Sequence, residues 1–122
     1  MGTPRKVTAV MNAVSAVADP AMLSAHFHDT YGMALANILA AVEGGIAIVH
    51  SSAAGLGGCP YAKGATGNVA TEDVLYMLHG MDIETGIDLD QVISTGQWIS
   101  DYLQRANSSR AGKAIITKRQ AA

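Results

Sequence analysis

The sequence predicts an α/β fold, a piece of an α/β barrel or of a doubly wound domain. Two short apolar runs are typical of strands in a parallel sheet that is covered on both faces. Helical patterns precede and follow each run, and this alternation is typical of parallel strands joined by crossover helices. Because only two strands can be recognised, we expect the chain to carry a part of such a sheet.

Composition restricts the class of protein before any motif is considered. The 122 residues are 49% hydrophobic and 15% charged, which is typical of one compact globular domain. A formal net charge of -2 gives no basic surface for nucleic acid or acidic lipid, and no apolar stretch is long enough for a membrane span. The single cysteine, Cys59, excludes an internal disulfide and favours the cytoplasm, or the mitochondrial matrix in a eukaryote.

The first helix is predicted from Thr3-Pro4 onward, where an N-cap residue and a proline at the first helical position precede an apolar stripe. The stripe consists of Val7, Val10, Met11, Val14 and Val17, and Asp19-Pro20 ends the helix. The largely apolar segment from Met22 to His28 follows. It is predicted to be a strand that runs into a loop.

A second helix is predicted from Met33 to Val42, with Gly44-Gly45 as its stop signal. This helix is apolar on almost every side, so we expect it to be buried. The next segment, Ile46-Ala47-Ile48-Val49, is a continuous apolar run with three β-branched residues. It predicts the second strand.

The C-terminal half begins with a glycine-rich loop from Ser51 to Asn68 and continues with two predicted helices. One starts near Thr71 and stops near Gly80. The other starts at Asp88, and it is expected to bury Val92, Ile93, Ile99, Tyr102 and Leu103. Order is expected to be poor beyond Asn107, so the chain divides into a domain over 1–107 and a basic tail over 108–122.

Two histidines at the end of the first predicted strand form the sharpest local feature. Side chains alternate between the two faces of a strand, so His26 and His28 point to the same side. They lie at the carboxyl end of the strand, where α/β barrels place their active sites. Two imidazoles on one face form half of a metal site. Alternatively, one histidine caps the loop and the other forms a hydrogen bond in the core.

The glycine-rich loop carries the thiol of Cys59. Lys63 precedes Gly64 without the hydroxyl residue that a phosphate loop requires, and the glycine spacing of a dinucleotide loop is also absent. The loop is therefore interpreted as a lid in which Cys59 serves as a nucleophile or proton donor, or as a loop with an inert cysteine. Asn68 at its end offers an amide oxygen to a divalent ion, or caps the helix that follows.

Three segments of the chain match a known pattern. They are Thr3-Pro4, then His26-Phe27-His28-Asp29-Thr30-Tyr31-Gly32-Met33-Ala34-Leu35-Ala36-Asn37, and then Gly55-Leu56-Gly57-Gly58-Cys59-Pro60-Tyr61-Ala62 with Gly67-Asn68-Val69-Ala70-Thr71-Glu72-Asp73. Together they resemble the hydroxymethylglutaryl-CoA lyase family from about residue 2 to residue 105. The cysteine loop is highly specific, whereas the His-x-His-Asp-Thr motif is shared with related enzymes that condense or cleave acyl-CoA thioesters.

The resemblance implies the C-terminal part of a (β/α)8 TIM barrel, about its last two βα units, together with C-terminal helices. It implies cleavage of an acyl-CoA thioester, 3-hydroxy-3-methylglutaryl-CoA, into acetoacetate and acetyl-CoA, with Mg²⁺ or Mn²⁺ as the divalent cofactor. By the same resemblance His26, His28 and Asn68 are metal ligands, and Cys59 and His26 are catalytic residues. The full-length enzyme is then expected to be a homo-oligomer.

Two departures from the family pattern affect the expected activity. No residue matches the arginine and the aspartate that the family carries on its first barrel strand, so this chain is expected to be inactive alone. His50 stands where the family has an aspartate. Two alternatives remain open: a related condensing or aldolase-type barrel enzyme, and a non-catalytic truncation product that binds metal.

Overall fold

The structure is a computed structural model that describes residues 2–58 and 64–121. Within these ranges the chain forms five α-helices and two β-strands. In chain order they are α1 (Pro4–Val14), β1 (Ser24–His26), α2 (Ala34–Glu43), β2 (Ile48–His50), α3 (Thr71–His79), α4 (Leu89–Tyr102) and α5 (Arg110–Gln120). Short 3-10 turns at Pro20–Met22 and Ala53–Gly55 precede β1 and follow β2. None of the described helices has the length and apolar character that crossing a membrane requires.

The two strands pair in parallel, as the alternation of strands and helices predicts. In their register Ser24 lies opposite Ile48, Ala25 opposite Val49 and His26 opposite His50. β2 begins two residues later than the apolar run, because the amide of Ile46 donates to the carbonyl of Ala41 at 3.1 Å and closes the end of α2. Both strands therefore end at a histidine, side by side.

Two clusters of buried side chains pack α1 and α2 against the sheet and α2 against α3. One cluster consists of Val7, Ala25, Ala41 and Ile46, and the other consists of Ala34, Ile38, Val69, Val74 and Leu78. The second cluster joins α2 to α3. Because α2 contributes to both clusters, with Ala34 and Ile38 fully buried, the predicted burial of this helix is confirmed.

The apolar stripe of α1 is less buried than the sequence predicts. Val7 is buried, but Val10 is 61% exposed and Val17 is 86% exposed. α1 packs against α2 and ends at Val14. The predicted stripe is thus longer than the helix face that α2 covers.

α4 begins where the sequence predicts, and it buries part of the predicted face: Ile93 is buried, whereas Val92 and Ile99 are half-buried. The Asp88 carboxylate caps the helix and accepts two backbone hydrogen bonds at 2.8 and 3.1 Å. The helix packs on α3 and on the turn that follows β2, and its buried residues are Ile93, Gly96 and Ser100. Tyr102 and Leu103 lie off that face and are 75% and 48% exposed, so their predicted burial is wrong.

The C-terminal segment differs from the expected tail over 108–122, because the structure forms α5 there. Ser109 caps this helix. Its hydroxyl accepts a hydrogen bond from the third helical amide at 2.8 Å and donates one to the Asp73 carboxylate at 2.6 Å. The same carboxylate accepts the first two helical amides at 3.2 and 2.8 Å. Since Asp73 belongs to α3, the group that orders α5 is remote in sequence and local patterns do not reveal it.

Candidate active site

The structure brings the two predicted histidines together at the carboxyl end of β1. His26 is the last residue of the strand, and His28 follows two positions later. Their ring centroids lie 5.3 Å apart, with the ring planes at 70°. The two imidazoles therefore share one side of the strand, as the alternation of side chains predicts.

His28 is held by a backbone contact that fixes the role of each ring nitrogen. Its Nδ1 lies 3.0 Å from the carbonyl oxygen of Thr66. A carbonyl oxygen can only accept a hydrogen bond, so Nδ1 carries the proton and donates it. In the neutral imidazole the lone pair then resides on Nε2. This arrangement, one nitrogen donating to a backbone carbonyl and the other free, is the one that metal-binding histidines adopt.

Asn68 stands beside His28, with which it forms an antiparallel bridge. Its Nδ2 donates to the carbonyl oxygen of Leu56 at 3.1 Å. Its Oδ1 is buried and has no hydrogen-bond partner within residues 2–58 and 64–121. Buried acceptors are rarely left without a partner. The alternative role as a helix cap is not observed, because Ala70 occupies the N-cap of α3 and no side chain caps it.

These donors fit part of the ligand set of a divalent cation. The orphaned Oδ1 of Asn68 is a neutral oxygen ligand, and Nε2 of His28 is a neutral nitrogen ligand. The described residues include no group of three or more histidine, cysteine, aspartate or glutamate side chains that could hold a metal ion. A complete shell would therefore need water, substrate or further protein groups.

His50 is a neighbour of His26 that the sequence did not predict. It lies opposite His26 in the parallel register, and the two ring centroids are 5.8 Å apart at an interplanar angle of 67°. Register is a property of strand pairing. The only signal in the sequence was that both predicted strands run into a histidine.

Cys59, the predicted catalytic thiol, lies outside the described residues. The chain that leads toward it is anchored by Glu72, a fully buried carboxylate whose two oxygens accept the amide of Ala54 at 2.9 and 3.0 Å. Burial raises the pKa of Glu72, and the backbone hydrogen bonds partly oppose this rise. A side chain at Gly96 would collide with the Glu72 carboxylate, so this buried acid requires glycine on α4.

A cavity of about 600 Å³ opens beside the imidazoles. Its lining comprises Gly2, Thr3, His26, Phe27, His28, Thr30, Tyr31, Met33, Asn37 and Ala65. Asn37 is a site residue that the sequence analysis missed. It is buried in α2, its Nδ2 donates to the Gly2 carbonyl at 3.3 Å, and its Oδ1 has no partner among the described residues. A polar residue inside an apolar helix was the available signal.

Asp29 joins this region to the C-terminal helix. One of its oxygens accepts the Ala34 amide at 3.0 Å, at the start of α2. The other forms an ion pair of 3.0 Å with Arg110 on α5. Arg110 was expected to belong to a solvated tail, and its contact with the residue after His28 was not anticipated.

Residues 1–99 match the profile of the family described as HMGL-like. The chain belongs to the HMGL-like family. It is similar to the mitochondrial hydroxymethylglutaryl-CoA lyase of Arabidopsis thaliana, with 56% identity over 115 residues, which is 94% of this chain and 25% of that relative. Enzymes of the HMGL-like family depend on a divalent metal ion.

Solved structures of HMGL-like enzymes have the same fold over almost the whole chain. Hydroxymethylglutaryl-CoA lyase from Pseudomonas aeruginosa superposes with a TM-score of 0.92 at 52% identity, over 97% of this chain and 39% of that one. An HMG-CoA lyase from Acinetobacter baumannii in complex with coenzyme A and 3-methylmalate superposes with a TM-score of 0.88 at 38% identity, over 93% and 37%. The fold is therefore part of an α/β TIM barrel, and the chain spans a quarter to two fifths of these relatives.

Proposed function

We propose that the protein carrying this chain is a carbon–carbon lyase that cleaves 3-hydroxy-3-methylglutaryl-CoA into acetoacetate and acetyl-CoA. The observation that carries the proposal is the pairing of His28 with Asn68. In each side chain one polar atom is fixed by a backbone carbonyl, which leaves Nε2 or Oδ1 for a ligand. Membership of the HMGL-like family supports the same function.

His26, His28 and Asn68 would hold the cation, which we assign as Mg²⁺ or Mn²⁺. A bound divalent ion would supply the acidity that lets a tertiary hydroxyl lose its proton near neutral pH. Imidazole and amide ligands are neutral, so these residues leave the ion's positive charge undiminished. The remaining ligand positions stay available to substrate and water.

His26 and Cys59 are assigned to the two proton transfers. When the hydroxyl proton leaves, the O–H electron pair forms the new carbonyl of acetoacetate, the C2–C3 bond breaks, and its electrons pass to the carbon next to the thioester. We assign that first proton to His26. A neutral imidazole has a single basic lone pair, so His26 would hold the cation or accept the proton, but would not do both at the same time. Cys59 then donates a proton to the carbon of the enolate and completes acetyl-CoA.

The cavity beside the imidazoles is the proposed site of the acyl group. Most of its large side chains are apolar or aromatic, among them Phe27, Tyr31 and Met33. The complex of the Acinetobacter baumannii relative with coenzyme A supports an acyl-CoA substrate. We further propose a cytoplasmic or mitochondrial-matrix location, which the mitochondrial Arabidopsis relative and the single cysteine support.

The proposal is tested by grafting this chain into a relative. The chain replaces the matching 39% of the Pseudomonas aeruginosa lyase, and acetoacetate release from 3-hydroxy-3-methylglutaryl-CoA is measured with Mn²⁺ present. We expect turnover with the wild-type chain, and a loss of about a hundredfold or more with His28→Gln because a metal ligand is removed. The matched control is His79→Gln, an exposed histidine of α3 that does not line the cavity and should retain activity.

Two outcomes would contradict the lyase. A grafted enzyme that unfolds cooperatively and binds Mn²⁺ but releases no acetoacetate would mean that the site residues of this chain do not support the cleavage. Condensation of acetyl-CoA with an oxo acid, without cleavage, would indicate a related condensing enzyme instead.

A further inference from the structure

His26 has an imidazole neighbour on each side. His28 lies on one side at 5.3 Å between ring centroids, and His50 lies on the other at 5.8 Å. The pairing of His28 with Thr66 and Asn68 accounts for that side of the site. His50 has no role in the proposed cleavage.

We propose that His26 and His50 form a bis-imidazole clamp for a nitrogen-preferring divalent ion such as Ni²⁺ or Zn²⁺. The clamp is a second metal position that shares His26 with the position at His28 and Asn68. It rests on the geometry of the two strand ends and does not depend on the proposed lyase activity.

The parallel register supplies the geometry. His26 and His50 are register partners at the last residues of β1 and β2, and adjacent strands lie about 4.8 Å apart. Register partners point to the same face of a sheet. An ion bound at about 2.1 Å from a nitrogen of each ring can lie between them after small rotations, since both side chains are exposed.

The ring nitrogens of the clamp are available. Neither His26 nor His50 forms a hydrogen bond with any residue that the structure describes, and both take part in ring contacts. His28, by contrast, already uses Nδ1 on Thr66. Of the three imidazoles, those of His26 and His50 can therefore turn either ring nitrogen toward an ion.

The ligand type selects the ion. Two neutral imidazoles without a carboxylate bind Mg²⁺ poorly, because that ion prefers oxygen and gives up its water reluctantly. Imidazole suits Ni²⁺, Cu²⁺ and Zn²⁺, whose affinities for nitrogen exceed that of Mn²⁺. An ion in the clamp would also occupy the lone pair of His26 and withdraw this residue from the neighbouring position.

The clamp is tested by calorimetric titration of the untagged 122-residue chain with Ni²⁺. We expect His50→Gln to weaken Ni²⁺ binding by about tenfold or more, because one of the two imidazole ligands of the clamp is lost. His79→Gln removes an exposed imidazole elsewhere, paired with Thr85, and should leave the affinity unchanged. Equal Ni²⁺ affinities for wild type and His50→Gln would overturn the clamp.

A second variant separates the clamp from the proposed lyase site. His28→Gln should retain Ni²⁺ binding and lose Mn²⁺ binding. Loss of both ions in His28→Gln would mean that one site binds both, and the clamp would be wrong. Retention of Mn²⁺ in His28→Gln would contradict the metal position of the proposed function and leave the clamp standing. Imidazole ¹⁵N shifts on adding Zn²⁺ to the wild type provide a readout without substitution, expected at His26 and His50 and absent at His79.

Discussion

The orientation of the Asn68 amide depends on the absence of a side chain at Gly57. A Cβ at Gly57 would lie 2.7 Å from Nδ2 of Asn68, and the backbone there has a φ of +99°, which favours glycine. Without that Cβ, Nδ2 donates to the Leu56 carbonyl, which can only accept a hydrogen bond. The other end, Oδ1, is thereby presented to the candidate metal position.

We expect Gly57→Ala to weaken Mn²⁺ binding by about tenfold, because the added Cβ would displace Nδ2 of Asn68, the group that orients this proposed ligand. Electron paramagnetic resonance of free Mn²⁺ during titration measures the effect. Gly58→Ala is the matched control, since nothing lies within 4 Å of a Cβ at that position. Equal affinities of the two alanine variants would show that the amide orientation does not govern binding.

The sequence predicted the positions of single site residues where a local rule applied. It missed them where the pairing of the strands determines the position. Strand alternation predicted the proximity of His26 and His28, and the structure confirms it. The proximity of His50 to His26 depends on strand register, which one sequence does not state. The roles of His26, His28, Asn68 and Cys59 remain predictions.

Among the helices, starts were predicted more accurately than ends and buried faces. Local signals mark a start, such as the proline at the beginning of α1 and the Asp88 cap of α4. The buried face of α4 depends on what packs against it, and the turn after β2 selects Ile93 and Gly96. The start of α5 also has a local cap in Ser109, but the group that secures it is Asp73, 36 residues away.

Ser109→Ala should destabilise α5 and its attachment to α3. The change removes the helix cap and leaves the Asp73 carboxylate, which is 7% exposed, without its hydroxyl donor. We expect a loss of about 1–3 kcal/mol in the free energy of unfolding, measured by urea denaturation. Ser108→Ala, at an exposed neighbour, should change it by less than about 0.5 kcal/mol. Similar losses in both variants would mean that the Ser109–Asp73 contact is unimportant.

For the molecule as a whole, the sequence predicted both the fold class and a partial sheet, but it did not predict which groups cover the strands. Alternating strands and helices indicated a parallel α/β fold, and the relatives support this with TM-scores of 0.92 and 0.88. The two-stranded sheet leaves Ile48 51% exposed, although its run reads as a strand covered on both faces. The local apolar pattern indicates that such a strand is covered, but it does not identify the groups that cover it.

The buried carboxyl of Glu72 makes the stability of the whole fold depend on pH. Burial raises the pKa of Glu72 above its ordinary value, so the folded chain retains this proton over a range in which the unfolded chain has lost it. The contribution of Glu72 to stability is therefore complete below the unfolded pKa, and it is lost as the pH rises through the folded pKa.

Glu72→Gln should remove that loss, since an amide mimics the protonated acid and can still accept the Ala54 amide. We expect the free energy of unfolding of Glu72→Gln to rise relative to wild type between about pH 4 and about pH 7.5, measured by urea denaturation at both values. Glu84→Gln, which removes an exposed carboxylate, controls for net charge. Wild-type and Glu72→Gln curves that run parallel across this range would contradict the prediction.

The stacked pair at the end of α4 has an optical consequence. Trp98 is the single tryptophan of the chain, and its ring lies 6.1 Å from that of Tyr102 with the planes only 23° apart. Light absorbed by the phenol is readily passed to an indole at so short a range, and the indole emission of the chain originates from one helical turn. Tryptophan fluorescence, which in many proteins averages over several positions, comes here from a single residue of α4.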